Sequence, residues 1–259
     1  MLLEFELVGV VRRVVRACAF TVLVPVAACA AAPTLTGPAA EAWTNLTNFH
    51  EDPARLDRAR DLLQSEVERT PTLETLVLLS WAHLAWADYR ATTPEAKLAS
   101  YERGRDVAQR AIELAPRSPD AHFWYAANLG RWAIARGKLH AAFLISTLKA
   151  EIQTILELDP NHVPGLAMAG SFYLEMPGMF GGDVPRAEGY FRRALALDAH
   201  FTRARVELAR CLIQQGRYGE AREELQRVVD EERPSYRADW VVRHRPTAQR
   251  LLGEIRAKS

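Results

Sequence analysis

A shift of 34 residues relates two amphipathic stretches near the C-terminal end of the chain. The apolar positions of the first stretch and their counterparts in the second are Ala187, Phe191 and Ala194, then Ala221, Leu225 and Val228. Residues three and four apart share one face of a helix. A 34-residue period is typical of pairs of antiparallel helices that stack on their neighbours. The spacing therefore predicts an all-α solenoid.

Helix start and stop signals extend this pattern toward the N-terminus. Thr93-Pro94 and Ser118-Pro119 each place a hydroxyl cap before a first-turn proline. We predict one helix over residues 139–158, a glycine-rich loop at 175–183, and a last helix over residues 247–257. The fold prediction is a tetratricopeptide-like helical repeat solenoid over residues 41–259. It has about four irregular helix pairs and a C-terminal capping helix.

Composition limits the classes of function. The formal net charge is +1, and a neutral chain lacks the basic footprint of nucleic-acid binding. The seven histidines are scattered, and no Cys or His pair has metal-ligand spacing. No phosphate-binding loop or nucleophile elbow is evident. We therefore predict a binding module that is not an enzyme and has no cofactor or metal.

The N-terminus resembles an export signal. Sixteen uncharged residues at 17–32 follow three arginines and are too few for a membrane span of about 20 residues. Val26-Ala27-Ala28-Cys29 resembles the lipobox of bacterial lipoproteins, which implies acylation of Cys29. We predict a signal peptide over 1–29, a tether over 30–40, and a lipid anchor in the periplasm, at the outer membrane. An uncleaved anchor, or an ordinary signal with a chance cysteine, remains open.

Two motifs resemble the T-component family of TRAP transporters. They are the segment from His122 to Ala133 and the loop from Pro177 to Asp183, together with the first repeat stretch. The resemblance covers residues 41–232. It implies a periplasmic lipoprotein that binds the solute-binding protein of a TRAP system and assists uptake of small organic acids or hydrophobic ligands. A similar segment occurs in eukaryotic regulators of microtubule dynamics, and the lipobox favours the bacterial family. A general envelope scaffold and a homo-oligomer remain open.

Candidate binding residues follow from the repeat geometry. Trp124, Asn128 and Trp132 form one helical stripe, in which Asn128 either orients a ligand or bonds a neighbouring helix. Aligning the first helices of two repeats predicts seven residues on the concave face. A looser alignment with an earlier repeat adds three more. These residues are Trp124, Ala127, Arg131, Ile134, Arg203, Val206 and Arg210, then Leu79, His83 and Trp86. This lining suits an organic anion or an acidic peptide, although a solvated arginine face is the alternative.

Two further features receive structural interpretations. Gly181 and Gly182 are expected to adopt positive φ, and Asp183 is expected to cap the next helix. The basic segment at 233–259 is expected to be a solvated cap that is separate from the concave face. Cys211 is expected to be a small core residue.

Overall fold

The computed structural model describes residues 35–256, and of residues 138, 139 and 141 it describes only the backbone. The predicted signal peptide, Cys29 and tether residues 30–34 therefore lie outside the described residues. Within them, all regular structure is helical. No described helix combines the length and the apolar character that a membrane span requires.

The described helices form five antiparallel pairs, one more than the sequence predicts. The first four pairs are α1 (Gly37–Thr47) with α2 (Arg55–Arg69), α3 (Leu73–Tyr89) with α4 (Pro94–Leu114), α5 (Pro119–Arg136) with α6 (Lys138–Phe143) and α7 (Ile145–Leu158), and α8 (Val163–Glu175) with α9 (Val184–Leu197). The fifth is α10 (Thr202–Gln214) with α11 (Tyr218–Val229). A 3₁₀ turn at Gly178–Phe180 follows α8. After the pairs come α12 (Arg237–Asp239), a π turn at Trp240–His244, and α13 (Arg245–Ile255).

The capping residues predicted from sequence are present. The side chain of Thr93 accepts a hydrogen bond from the Ala96 amide, and that of Ser118 accepts from Ala121. These bonds satisfy amide groups that an isolated first turn leaves without partners. Gly137 ends α5 with a φ of 111°.

Two predicted boundaries are wrong. Helix α1 begins at Gly37, so the last residues assigned to the tether are helical, and Ala39 is buried. Pro38 suits a first turn, so the proline and glycine that suggested a tether are also compatible with a helix start. The helix predicted over 139–158 breaks at Leu144, whose φ and ψ are −97° and 0°. Helices α6 and α7 each pack on α5, so tertiary contacts set this break and no proline or glycine marks it.

Two apolar cores run through the solenoid. One joins α1 to α5, and the other joins α7 to α11 and α13. All six residues of the 34-residue match are fully buried in the second core, which confirms the repeat prediction. Cys211 is also buried there, and burial raises the pKa of its thiol to about 12.

The concave face and its C-terminal strap

The segment at residues 234–244, here called the C-terminal strap, crosses the concave face. Helix α12 packs on α1, and the π turn packs on α10. In a tetratricopeptide fold the first helix of each pair lines the concave face, so the strap spans from the first pair to the last. The expectation that the basic C-terminal segment is separate from this face is therefore wrong. Local sequence could not show it, because the strap is held by residues far away in the chain.

Aromatic side chains anchor the strap. The Tyr236 ring lies edge-on to Trp81, with centroids 6.2 Å apart, and 5.8 Å from Phe201. Beneath it, Trp81 stacks on Trp124 at 5.6 Å. Tyr236 packs against both cores. The indole Nε1 of Trp240, four residues further on, donates to a backbone carbonyl of α11 at 2.7 Å. The strap thereby connects the N-terminal and C-terminal halves.

Polar groups fix its position. The hydroxyl of Tyr89 donates to Asp239 Oδ1 at 2.6 Å, and the Arg243 guanidinium lies 5.0 Å over the Tyr89 ring. The imidazole Nδ1 of His244 lies 2.9 Å from the hydroxyl of Thr202. Each contact joins residues more than 40 positions apart, so the strap is a tertiary element.

Asp88 is the centre of a buried charge network. Its side chain is only 5% exposed, and its Oδ2 accepts from both Arg131 and Arg243 at 3.0 Å. The hydroxyl of Tyr101 donates to its Oδ1 at 2.5 Å. Burial alone would raise the pKa of Asp88, but the two guanidinium charges and the tyrosine hydroxyl hold it below its ordinary value. The carboxylate is therefore charged and fully used by its partners.

Arg203 is the cation of the concave face that lacks a carboxylate partner. Its side chain, on α10, is open to solvent within the concavity, and no ion pair or hydrogen bond involves it among the described residues. The surrounding concave walls desolvate the guanidinium and lower the pKa of Arg203; Glu207 counteracts this, and the charges of Arg131 and Arg243 lower it further. Glu207 is already paired with Arg210 at 2.8 Å. Arg203 therefore has no ion pair of its own among the described residues.

The charges around Arg203 are nearly balanced in number. Arg131, Arg203, Arg210 and Arg243 face Asp88, Asp239, Glu175 and Glu207, of which Glu175 and Glu207 both pair with Arg210. Burial raises the pKa of Asp239 above its ordinary value, which weakens its contribution as an anion. Arg203 is therefore the member of this group that is open to a further anion.

Not every predicted site residue lies here. Asn128 is fully buried, and its Nδ2 donates to Ser80 Oγ and to the Trp124 carbonyl, both at 3.0 Å. It therefore bonds helix α3, which is the structural alternative, and does not line the concave surface. Ile134 is 69% exposed on the helix that carries Arg131. Arg210 pairs with Glu175 as well as with Glu207.

The looser alignment that added residues of α3 is wrong. His83 is buried beneath an outer groove of about 530 Å³ between α2 and α4, which is lined by Arg60, Arg103 and Arg110 among others. The indole of Trp86 donates to Asp57 of α2 at 2.6 Å. Leu79 and Val206, also placed on the concave lining, are buried in the cores. Helix α3 is apolar on nearly every side, so its sequence does not indicate which face turns inward.

The glycine-rich loop is partly as predicted. Gly181 has a φ of 91°, and the Asp183 side chain accepts from the Arg186 amide at 2.9 Å. Gly182 does not have positive φ. A Cβ atom there would lie 1.7 Å from the carbonyl oxygen of Met176, so Gly182 is required by close approach of the backbone.

Sequence reasoning did not find Asp88, Tyr89 or Asp239. Asp88 and Tyr89 end the apolar run of α3. A single acidic residue at the end of such a run was the sequence signal that could have indicated a buried charge at Asp88. Residues 236, 239, 240 and 243 have the spacing of one α-helix face, but Tyr236 precedes the helix and Trp240–His244 form a π turn, so this spacing does not describe the observed arrangement. No group of three or more His, Cys, Asp or Glu within the described part of the chain is placed to hold a metal ion.

The stacked pairs and the 34-residue period define a protein of the tetratricopeptide repeat class, and residues 181–238 match the family model described as Tetratricopeptide repeat. Residues 44–179, more than half of the chain, match the model described as Regulator of microtubule dynamics protein 1-3, and the chain belongs to that family. Comparison with curated protein sequences finds no match. Neither matching family is the TRAP transporter T-component, so that resemblance stays a prediction.

Solved structures share the fold. A thermophilic TPR protein of Thermus thermophilus is 17% identical, covers 80% of this chain and 99% of its own, and superposes with a TM-score of 0.59. MamA from Desulfovibrio magneticus is 14% identical over 74% of this chain and 94% of its own, with a TM-score of 0.43. The first likeness supports the fold, and the second is too distant to support an argument.

Proposed function

We propose that this chain is a protein-interaction scaffold whose concave face binds an anionic group of its partner. The observation that carries the proposal is Arg203, an exposed guanidinium without a carboxylate partner among the described residues, beside Arg131 and Arg243. A guanidinium offers a planar fork of donors that matches a carboxylate. The surrounding protein reduces access of water, which strengthens such a contact. The partner supplies the carboxylate that pairs with Arg203.

The partner that we propose is the solute-binding protein of a TRAP transporter, with a small organic acid as the accompanying ligand. Support comes from the TRAP-like motifs at 122–133 and 177–183 and from the lipobox-like pattern at Cys29, which favours an exported, lipid-anchored protein. The family description names regulation of microtubule dynamics, which makes tubulin the alternative partner. Because both partners are proteins, the scaffold role does not depend on this choice.

Binding to the purified solute-binding protein tests the proposal. Arg203→Gln removes the charge without which the concave face has no anion site, and we expect it to weaken binding by at least about tenfold. Arg110→Gln is the matched control, because Arg110 is also exposed and has no partner that the structure shows, but lies in the outer groove. Calorimetry on both folded variants gives the comparison.

Two outcomes would contradict the proposal in different ways. Equal binding by the parent and Arg203→Gln would remove the concave anion site. Binding of polymerised tubulin, with no binding of the solute-binding protein, would keep the scaffold role and replace the partner.

A further inference from the structure

We infer that the outer groove between α2 and α4 binds a small phosphorylated sugar, whose phosphate group is held by Arg103 and Arg110. The groove is formed by the second helices of the first two pairs, and His83 of α3 lies in its floor. It is therefore a second site, separate from the concave face that the first helices line.

Two guanidinium groups on one face of α4 supply the anion site. Arg103 and Arg110 are seven positions apart, which places them two turns apart on the same side of the helix, about 10 Å along its axis. Both side chains are exposed, and neither has an ion pair or hydrogen bond among the described residues. The oxygens of one phosphate group can accept from both guanidinium groups at once.

The two carboxylates of the groove do not cancel this charge, because each is already paired. Asp61 accepts two hydrogen bonds from Arg60, at 3.0 and 3.2 Å. Asp106 accepts two from Arg105, at 2.7 and 2.9 Å. Arg60 is also held over the Trp86 ring, with its guanidinium 4.7 Å from the ring centroid. The exposed arginines of α4 are therefore the cations that are open to a ligand.

The size and lining of the groove indicate the rest of the ligand. Its volume of about 530 Å³ lies in the range of small-molecule sites and far exceeds the space that a bare phosphate needs. The carboxylates of Asp61 and Asp106 and the amide of Gln64 offer partners for hydroxyl groups. None of the described residues that line the groove is Phe, Tyr or Trp, so a nucleobase would find no ring of these types to stack on. A sugar phosphate fits this lining better than a nucleotide.

A buried imidazole in the floor of the groove offers a further contact. His83 is 4% exposed, and its Nδ1 lies 3.4 Å from the hydroxyl oxygen of Ser100. The other ring nitrogen, Nε2, has no hydrogen-bond partner in the part of the chain that the structure describes and is not enclosed. Because His83 meets solvent at this groove, a hydroxyl group of the bound sugar can bond Nε2.

Calorimetric titration of the full chain with glucose-6-phosphate tests the inference. We expect Arg103→Gln/Arg110→Gln to weaken binding at least about tenfold, because it removes both charged donors. The matched control is Arg117→Gln/Arg222→Gln, which removes two exposed arginines outside the groove that also have no ion pair or hydrogen bond among the described residues. This control should bind as the parent does. Glucose should not bind detectably, and inorganic phosphate should bind more weakly than the sugar phosphate.

Nuclear magnetic resonance of the His83 ring provides a readout inside the groove. Glucose-6-phosphate should shift the ring resonances of the parent at neutral pH, because the ligand reaches the floor of the groove. Arg103→Gln/Arg110→Gln leaves the imidazole in place and should show no such shift at the same ligand concentration. Circular dichroism of both variants confirms that they are folded.

Three outcomes would overturn the inference. The first is absence of glucose-6-phosphate binding by the parent, and the second is equal binding by the parent and folded Arg103→Gln/Arg110→Gln. The third is binding of phosphatidylcholine vesicles that carry a phosphoinositide, without binding of the soluble sugar phosphate. The experiment contains no solute-binding protein, and Arg203→Gln should leave glucose-6-phosphate binding unchanged, so the outer groove and the concave face are tested separately.

Discussion

Gly182 must be a glycine because the neighbouring backbone leaves no room for a Cβ atom. Its backbone does not need a positive φ. A Cβ atom there meets the Met176 carbonyl oxygen at 1.7 Å, and a backbone atom cannot rotate away as a side chain can. We expect Gly182→Ala to lower the free energy of unfolding by about 1–3 kcal/mol. Gly178→Ala is the matched control in the same loop, because no atom lies within 4 Å of its added Cβ. Urea denaturation of both variants checks this, and equal midpoints would show that the loop adjusts freely.

Asn128 has a structural role at the residue scale. Its amide joins α5 to α3 through Ser80, and removing it takes away a buried hydrogen bond between the two helices and leaves a cavity. We expect Asn128→Ala to cost about 1–3 kcal/mol of stability. Binding of the solute-binding protein, measured below the melting temperature of the variant, should be unchanged. A loss of binding without a loss of stability would restore Asn128 to the ligand site.

At the scale of the element, buried histidines make stability depend on pH. Burial lowers the pKa of His83 to about 4 and of His244 to about 3, with help from the charges of Arg60 and Arg103 for the first and of Arg203 and Arg243 for the second. The ordinary pKa of histidine is 6.5. At any pH between that value and the lowered pKa of each buried histidine, the unfolded chain binds more protons than the folded chain. The stabilisation from each neutral histidine is therefore complete above about pH 6.5 and is lost as the pH falls.

The expected result is a loss of up to roughly 1.4 kcal/mol per pH unit for each of the two histidines between about pH 6 and pH 5. Asp239 acts with the opposite sign, because its raised pKa lets the folded state hold a proton at pH values above the ordinary 3.8, so the slope of the parent combines both effects. Denaturation curves at several pH values measure the slope of the unfolding free energy against pH. The variant His244→Gln should show a shallower slope than the parent, and an identical slope would contradict the assignment.

Helices with local signals could be predicted, and those positioned by distant contacts could not. Thr93 and Ser118 carry their caps within three residues of the helices that they start, so sequence alone located both helices. The break at Leu144 has no proline or glycine near it and depends on packing against α5. The inward side of α3 was assigned wrongly because its apolar residues surround the helix and give no direction.

At the scale of the whole molecule, the 34-residue period predicted stacked pairs but not their closure by the strap. The period reports contacts between neighbours in sequence, whereas Arg243 reaches Asp88 across 155 positions. Of the predicted concave residues, Trp124, Arg131 and Arg203 lie at the site, because the matched helices α5 and α10 share the register of the repeat. His83 and Trp86 came from a weaker match and lie on the outer side. The candidate site was therefore predictable only as far as the repeat register extends.

The charge network of the concave face depends on the C-terminal strap lying across it, and a double-mutant cycle between Tyr89 and Asp239 measures that contact directly. Their side chains are 2.6 Å apart in the structure and 150 positions apart in the chain. We predict that unfolding free energies of the parent, Tyr89→Phe, Asp239→Ala and the double variant give a coupling of about 1–2 kcal/mol. Additive effects, within about 0.5 kcal/mol, would show that the two residues do not meet and that the strap lies elsewhere.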